Sequence, residues 1–254
     1  MKISIITVTY NAEETIERTL NSVVKQDYNN IEFIFVDGSS TDRTLEIVKD
    51  YMGAIDKFVS EPDNGIYDAM NKGIDLATGD VLHFLNSDDY YCDSETISRV
   101  MSCFTEDIDI VSSPVTMVDS KERYLYDFKP LPENPFKCIP HQGFYYRAVL
   151  HKDKGKYSSY LRYASDYDFY LSVRESNKIK VISQPTVFMQ NEGRGVSDGF
   201  FVLSELFYVQ IKHGLSYGRA FRRFIFLLAK NRVRLFLEKP LLRYLLDRVR
   251  YGIR

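Results

Sequence analysis

Glu61–Asp89 reads EPDNGIYDAMNKGIDLATGDVLHFLNSDD, and its two changes of period decide the fold. Ile66, Ala69, Met70, Gly73, Ile74 and Ala77 recur at helical spacing, and Gly79 follows as a C-terminal stop. DVLHFL then runs apolar without alternation, as a strand buried on both faces does. At its end stand Asp88 and Asp89, adjacent carboxylates that repel one another and resist burial.

The same alternation extends in both directions. KISIITV is a continuous apolar strand, and Asn11 with Glu14 three residues on offers a helix start before Ile16, Leu20, Val23 and Val24. IEFIFVD is a second strand, after which Ser40 can cap a helix striped by Leu45, Val48 and Met52. A short strand falls near Lys57–Ser60. Beyond Asp89, Ile97, Val100, Met101 and Phe104 mark a helix and IDIVSS a strand. Apolar strands alternating with amphipathic helices specify an α/β domain with a mostly parallel, Rossmann-like sheet covered by helices on both faces. From Pro114 to about Gly155 the pattern loosens, with four prolines between Pro130 and Pro140, before a strand at GFYYR. SDYDFYLSVRE is helical, KVISQPTVFMQ is extended, and NEGRGVSDG is a polar loop.

The chain has 254 residues, 44% of them hydrophobic, and no Trp, so Tyr and Phe supply the aromatic packing. Its three cysteines lack C-x-x-C spacing, which speaks against a disulfide framework or a zinc site and for a reducing compartment. MKISIITVTYNAEE turns polar too early for a signal peptide, and no apolar run reaches the ~20 residues of a membrane span. From Gly214 onward eleven bases face two acids, a surplus of nine. The rest must carry about −11 to give the net charge of −2. Such segregation divides the chain into a main part, 1–213, and a basic amphipathic helical tail, 214–254. Within the first part, the regular pattern covers about 1–113 and the looser one about 114–213.

In parallel α/β sheets, ligands bind beyond the carboxyl ends of the strands. Here those ends carry Thr9-Tyr10-Asn11, Asp37 to Asp42, Glu61 to Gly65, and Asn86 to Asp89. Four polar clusters, three with carboxylates, would repel a nucleoside diphosphate unless a divalent cation mediated between them. Hard oxygen ligands suit Mn²⁺ or Mg²⁺, and Asp88 and Asp89 are the expected metal residues. Read singly, each acid has an ordinary alternative: Asp88 can cap the next helix, Asp89 can be solvated, and Asp37 can serve its own turn.

ISIITVTYNAEETIERTLNSV, IEFIFVDGSSTDRT, the opening stretch and, later, HQGFYYR and YASDYDFYLSV together resemble the family 2 glycosyltransferases of the GT-A fold. The likeness covers about residues 2–200 and is similar to the subgroup that builds bacterial surface polysaccharides. It implies inverting transfer of a sugar from a nucleotide-sugar, a UDP-sugar foremost, to a saccharide or lipid-linked acceptor, with 1–213 as the glycosyltransferase domain, about 1–113 its nucleotide-sugar half and about 114–213 its acceptor half. Thr9 and Asp37 then fall where the family contacts the nucleoside, and Asn86-Ser87-Asp88 falls on the D-x-D motif, with Asn86 replacing its first Asp. The family's Arg in its A-R-N stretch is Met70 here, followed by Asn71 and Lys72. The expected nucleotide-binding set is Thr9, Tyr10, Asn11, Asp37, Ser39, Asp63, Asn64, Asn71, Lys72, Ser87 and Asp88. The family's base is the second residue of an E-D pair opening a helix; here the pair is Ser165-Asp166, so the resemblance makes Asp166 the general base. As a bare sequence feature Asp166 reads as an ordinary helix cap. His141 and Gln142 match an H-Q pair, with acceptor or diphosphate contact or a purely structural role open to them, and Arg194 lies in a glycine-flanked loop able to cover phosphates.

The tail adds Phe221, Phe224, Ile225 and Leu228 on one helical face and Leu241, Leu242, Leu245, Leu246 and Val249 on another, with Pro240 in the first turn of the second helix. Such a basic pair suits an anionic membrane surface, reached through residues 216–254, and equally suits packing on protein or a homo-oligomer partner. The acidic remainder argues against nucleic acid. The expectation is a cytoplasmic enzyme peripheral on the inner face of the cell membrane. A second reading treats the replacements at Asn86, Met70 and Ser165 as erosion, leaving a catalytically silent nucleotide-binding scaffold of a membrane-associated assembly.

Overall fold

The computed structural model describes residues 1–119, 124–128, 140–190 and 199–237. They fall in two compact units, 1–193 and 194–254. Helix Gly199–Lys212 packs on the helix that follows it.

In the first unit β1 (Ile3–Thr9), α1 (Ile16–Val24), β2 (Ile31–Asp37), α2 (Thr44–Val48), β3 (Lys57–Ser60), α3 (Ile66–Leu76) and β4 (Val81–Phe84) follow in turn. Next come β5 (Tyr90–Tyr91), α4 (Thr96–Met101), β6 (Ile110–Ser112), β7 (Val115–Val118), β8 (Tyr124–Phe128) and β9 (Phe144–Arg147). The unit continues with α5 (Val149–Lys154), α6 (Ser165–Arg174), β10 (Ile179–Val181) and β11 (Val187–Gln190). Among the described residues the main sheet has the order β10-β6-β9-β4-β1-β2-β3, and every pairing in it is parallel except those of β9. A four-stranded sheet, β5-β11-β7-β8, stands beside it. Its strands are short, and in sequence they carry no periodic signal.

Register is what builds the site. β1 and β2 are seven-residue, β-branched or aromatic runs buried almost throughout, paired from Ile3↔Ile31 to Thr9↔Asp37. β3 then sets Ser60 against Asp37. Thr9, Asp37 and Ser60 therefore form one row at the carboxyl edge. α3 lies close on β1 because Gly73 leaves room for Ile6, which any added methyl would strike.

The sequence places helix caps at Asn11 and Ser40; the structure uses both otherwise. α1 starts at Ile16 and α2 at Thr44, neither with a side-chain cap. Asn11 adopts φ 50° and accepts the Thr41 N–H through Oδ1 at 2.8 Å, while its own N–H donates to Ser40 Oγ at 2.8 Å. The two loops lock each other instead of capping helices. Gly79 lies past the end of α3 and is required elsewhere: a Cβ there would sit 2.6 Å from the Ser4 backbone nitrogen. Val24, Met52 and Ile66, expected on apolar faces, are exposed.

The opposite edge of the sheet carries a buried acid. Glu32 is 3% exposed and accepts hydrogen bonds from Ser4 Oγ, Thr78 N–H and Oγ1, and Lys2 Nζ, with Lys57 Nζ at 3.1 Å. Burial alone would raise its pKa, but these bonds outweigh it and hold the carboxyl far below the ordinary glutamate value of 4.5. Glu32→Gln should cost about 3 kcal/mol at neutral pH, because two cations lose their buried partner. A depressed folded-state pKa gives stability that is present above the unfolded value and is lost on acidification. Denaturant unfolding should therefore show the wild-type advantage shrinking as pH falls below that value.

The second unit pairs α7 (Gly199–Lys212) with α8 (Tyr217–Leu237), turned at Gly214 with φ 88°. Phe207 and Phe224 meet at the seam, ring centroids 5.5 Å apart, and Ala220 is fully buried there. Phe224 and Leu228 are half-buried, whereas Phe221 and Ile225 are exposed, so the face expected to be continuous is split. The second tail helix, with Pro240 to Val249, lies outside the described residues. No described helix is long and apolar enough to cross a membrane.

Candidate active site

At one end of the carboxyl edge, Asp37 is fully buried. Its carboxylate takes the Ser40 N–H and hydroxyl and the Ser60 hydroxyl, the last at 2.7 Å. Thr9 Oγ1 beside it is buried with no partner among the described residues, a polar group left open for a ligand. Ser39 sits at φ 64°, so the 37–41 turn holds a conformation that a non-glycine residue adopts at a cost of order 1 kcal/mol. Gly38 lacks a side chain because the Asp63 carboxylate lies over it, with the Tyr10 ring alongside. Asp63 also accepts the Gly65 N–H, and the Asn64 N–H donates to Asp68, so this acidic loop is ordered from within.

Two expected donor contacts face elsewhere. Asn71 is bound at both ends of its amide to the Tyr157 backbone, as donor and acceptor at 3.0 Å each. Lys72 Nζ holds Pro62 O at 2.8 Å and Glu61 at 2.9 Å. Both clamp loops rather than present free groups, because partners distant in sequence reach them first.

The loop after β4 separates its two acids. Asp88 is half-buried, and burial raises its carboxyl, with the nearby His141 and Arg18 working against the rise. Asp89 turns inward at 1% exposure. Gln142 Nε2 donates to Oδ2 at 2.7 Å and the Gln190 N–H to Oδ1 at 3.3 Å. Burial, and then Asp88, push its pKa well up. Asp89 therefore does not stand beside Asp88 as a second rim ligand; its oxygens are already used inside the fold. Asn86 Oδ1 is buried and has no partner among the described residues, and Ser87 is half-buried in the same loop. Among the described residues no group of three or more His, Cys, Asp or Glu could hold a metal alone. The set fits a hard cation that takes one carboxylate and completes its shell with phosphate and water.

The other end is Asp166, in the first turn of α6. Ala164 holds the N-cap position of that helix, and Asp166 stands inside its first turn. Tyr67 OH donates to Oδ1 at 2.7 Å, and His141 Nδ1 lies 3.2 Å from Oδ2. Burial works to raise the acid, but the bonds from His141, Tyr67 and the Tyr167 backbone win and hold it below the usual aspartate value. The Tyr67 hydroxyl, raised by burial and by Asp166, stays neutral and donates. Ser165, in the place of the family's Glu, accepts the Ser158 N–H and is buried. His141 Nε2 and Gln142 Oε1 are buried without partners among the described residues. Arg194 lies outside the described residues.

Sequence reasoning missed Tyr67. The signal was present: Tyr67, Met70, Asn71 and Ile74 repeat at helical spacing, and Tyr67 is buried while Ile66 is exposed, so the inner face of α3 is turned by one residue.

The family described as glycosyl transferase family 2 matches residues 4–167, a span that runs from β1 through Asp166. The chain belongs to that family, has its GT-A type fold, and is a glycosyltransferase. It is 36% identical over 172 residues to a PGL/p-HBAD biosynthesis glycosyltransferase of Mycobacterium bovis, covering 65% of this chain and 67% of that one. It is 30% identical over 231 residues to the poly(ribitol-phosphate) beta-N-acetylglucosaminyltransferase TarS of Staphylococcus aureus, covering 82% of this chain but 39% of TarS. A structure of TarS residues 1–349 with UDP-GlcNAc superposes with TM-score 0.67 at 25% identity, over 87% of this chain and 69% of that one. The mannosyltransferase PcManGT of Pyrobaculum calidifontis, in complex with GDP-Man and Mn²⁺, shares the fold at TM-score 0.66 and 18% identity, over 91% and 69%.

Proposed function

We propose that this protein is an inverting, divalent-metal-dependent glycosyltransferase that moves a sugar from a UDP-sugar to a saccharide or lipid-linked acceptor of a cell-surface polysaccharide. The observation that carries the reading is Asp166: an ionised carboxylate whose partners, Tyr67 and His141, orient it and hold it unprotonated. In the reaction the acceptor hydroxyl gives its proton to Asp166 as its oxygen attacks the anomeric carbon. The bond from that carbon to the diphosphate breaks on the opposite face, so the configuration inverts. Asp88 would hold the Mn²⁺ or Mg²⁺, which when bound neutralises charge growing on the leaving diphosphate. A nucleoside contact at this end is supported by the Thr9 hydroxyl, which has no partner among the described residues; Asp37, bonded to Ser40 and Ser60, would order the turn beside it. UDP is favoured because TarS, the solved relative at 25% identity, was captured with UDP-GlcNAc.

The test is a thermal-shift screen of nucleotide-sugars with Mn²⁺, followed by turnover of each stabilising donor. A UDP-sugar that stabilises the protein and is slowly hydrolysed or transferred supports the reading. Binding without turnover over a broad donor and acceptor panel would point to a silent scaffold.

The membrane reading rests on α8. Arg219, Arg222, Lys230 and Arg232 are exposed with Phe221, Ile225 and Phe226, and the helix contains no acid. Anionic lipid attracts each nearby cation by about 1 kcal/mol, so neutralising Arg219 and Arg222 together should weaken co-sedimentation with anionic vesicles about thirty-fold. Equal binding to neutral and anionic vesicles would contradict it.

A further inference from the structure

His83 is buried completely within β4, away from the rim, yet both of its ring nitrogens are committed. Nε2 lies 2.9 Å from the Gln142 carbonyl oxygen and Nδ1 lies 2.8 Å from Tyr91 OH. A carbonyl only accepts, so Nε2 carries the proton and Nδ1 accepts the tyrosine hydroxyl. The ring stacks on Tyr145 with centroids 3.9 Å apart and planes 10° from parallel. Burial pushes the imidazole down to about 3, so it stays neutral and the tautomer is fixed.

What His83 holds is the short turn His141–Gly143. Adjacent residues of that turn reach two acids on different elements: His141 binds Asp166 of α6, and Gln142 binds Asp89 of the loop after β4. The turn has little room to move. The Ser113 N–H donates to Gly143 O at 2.8 Å, and a Cβ on Gly143 would lie 2.5 Å from Ser113 O.

We infer that His83 is a positioning residue: through the Gln142 carbonyl it seats the 141–143 turn, and that turn sets the spacing between Asp166 and the Asp88–Asp89 loop. His83 touches neither acid, so its effect on transfer must pass through the turn. The inference rests on the reading of Asp166 as the base. A core histidine that merely fills space would change stability and leave the balance between turnover and donor binding alone.

His83→Phe keeps the ring and its stack on Tyr145 but removes both hydrogen bonds. In folded protein kcat should fall about thirty-fold, since sub-ångström misplacement of reacting groups is costly, with donor KM within about threefold of wild type. His83→Gln returns an N–H to the Gln142 carbonyl and should recover most of kcat. Gly143→Ala pushes the same turn from the other side, against Ser113 O, and should reproduce the loss in kcat. It decides the matter if His83→Phe does not fold. An unchanged kcat in either folded variant, an equal loss on kcat and donor binding, or failure of Gln to rescue would overturn the inference. Asp166→Asn measured alongside separates the two failures. Wild-type turnover in Asp166→Asn removes the base and this inference with it; loss there beside unaltered His83→Phe removes only the role of His83.

Discussion

Asp166→Asn should abolish transfer, lowering kcat by about 10³-fold, while UDP-sugar affinity stays within about threefold. The substitution is nearly isosteric and keeps an oxygen for the Tyr67 hydroxyl, so the fold around α6 should survive. What it removes is an ionised group whose two oxygens accept from Tyr67 and face His141. Because His141 and Tyr67 hold the acid below its ordinary value, the base form exists throughout neutral pH. The acid limb of kcat/KM should accordingly fall at or below the usual carboxylate range. The same depression means that the charge stabilises the native state above its unfolded pKa and ceases to do so on acidification. Asp166→Asn should thus be somewhat less stable than wild type near neutrality, with the difference narrowing in acid. Full turnover in the variant would remove Asp166 as the base.

Asp88→Ala should be nearly as damaging, through a different quantity. Asp88 is the acid of the β4 loop that the fold leaves at the rim, its neighbour being spent on Gln142 and Gln190. Loss of one protein ligand to a cation held by few others should cost about 100-fold in metal-dependent turnover. Asp89→Ala should instead show in unfolding experiments, since Gln142 Nε2 and the Gln190 N–H would lose their buried acceptor, at about 1–3 kcal/mol. A variant pair with these effects exchanged would overturn the assignment of the two acids.

Much of this was readable from the chain, for identifiable reasons. Strands Ile31–Asp37 and Lys57–Ser60 were read at their observed bounds because both are short runs of β-branched and aromatic residues between turn residues. The rim was legible because each parallel strand deposits its next residues at the same edge. Thr9, Asp37 and Asp88 could therefore be gathered without knowing the register. What the sequence does not show is the bonding by distant partners. Asn71, expected at the donor, bonds Tyr157 through its amide, and Asp89, expected at the metal, accepts from Gln142, 86 and 53 residues away. Asn11 and Ser40 had the composition of caps, yet each found a better partner in the opposing loop. His83 carried no signal at all, being one polar residue inside an apolar run whose value depends on Gln142 and Tyr91 arriving beside it.

The claim beneath the proposal is that Asp88 holds a cation which in turn holds the pyrophosphate. Calorimetric titration of UDP into wild type and Asp88→Ala, each with and without Mn²⁺, addresses it directly. The expected result is at least about tenfold tighter binding with Mn²⁺ in wild type, and no such gain in Asp88→Ala. Equal UDP affinity with and without the metal in wild type, or a full metal effect surviving in Asp88→Ala, would contradict it.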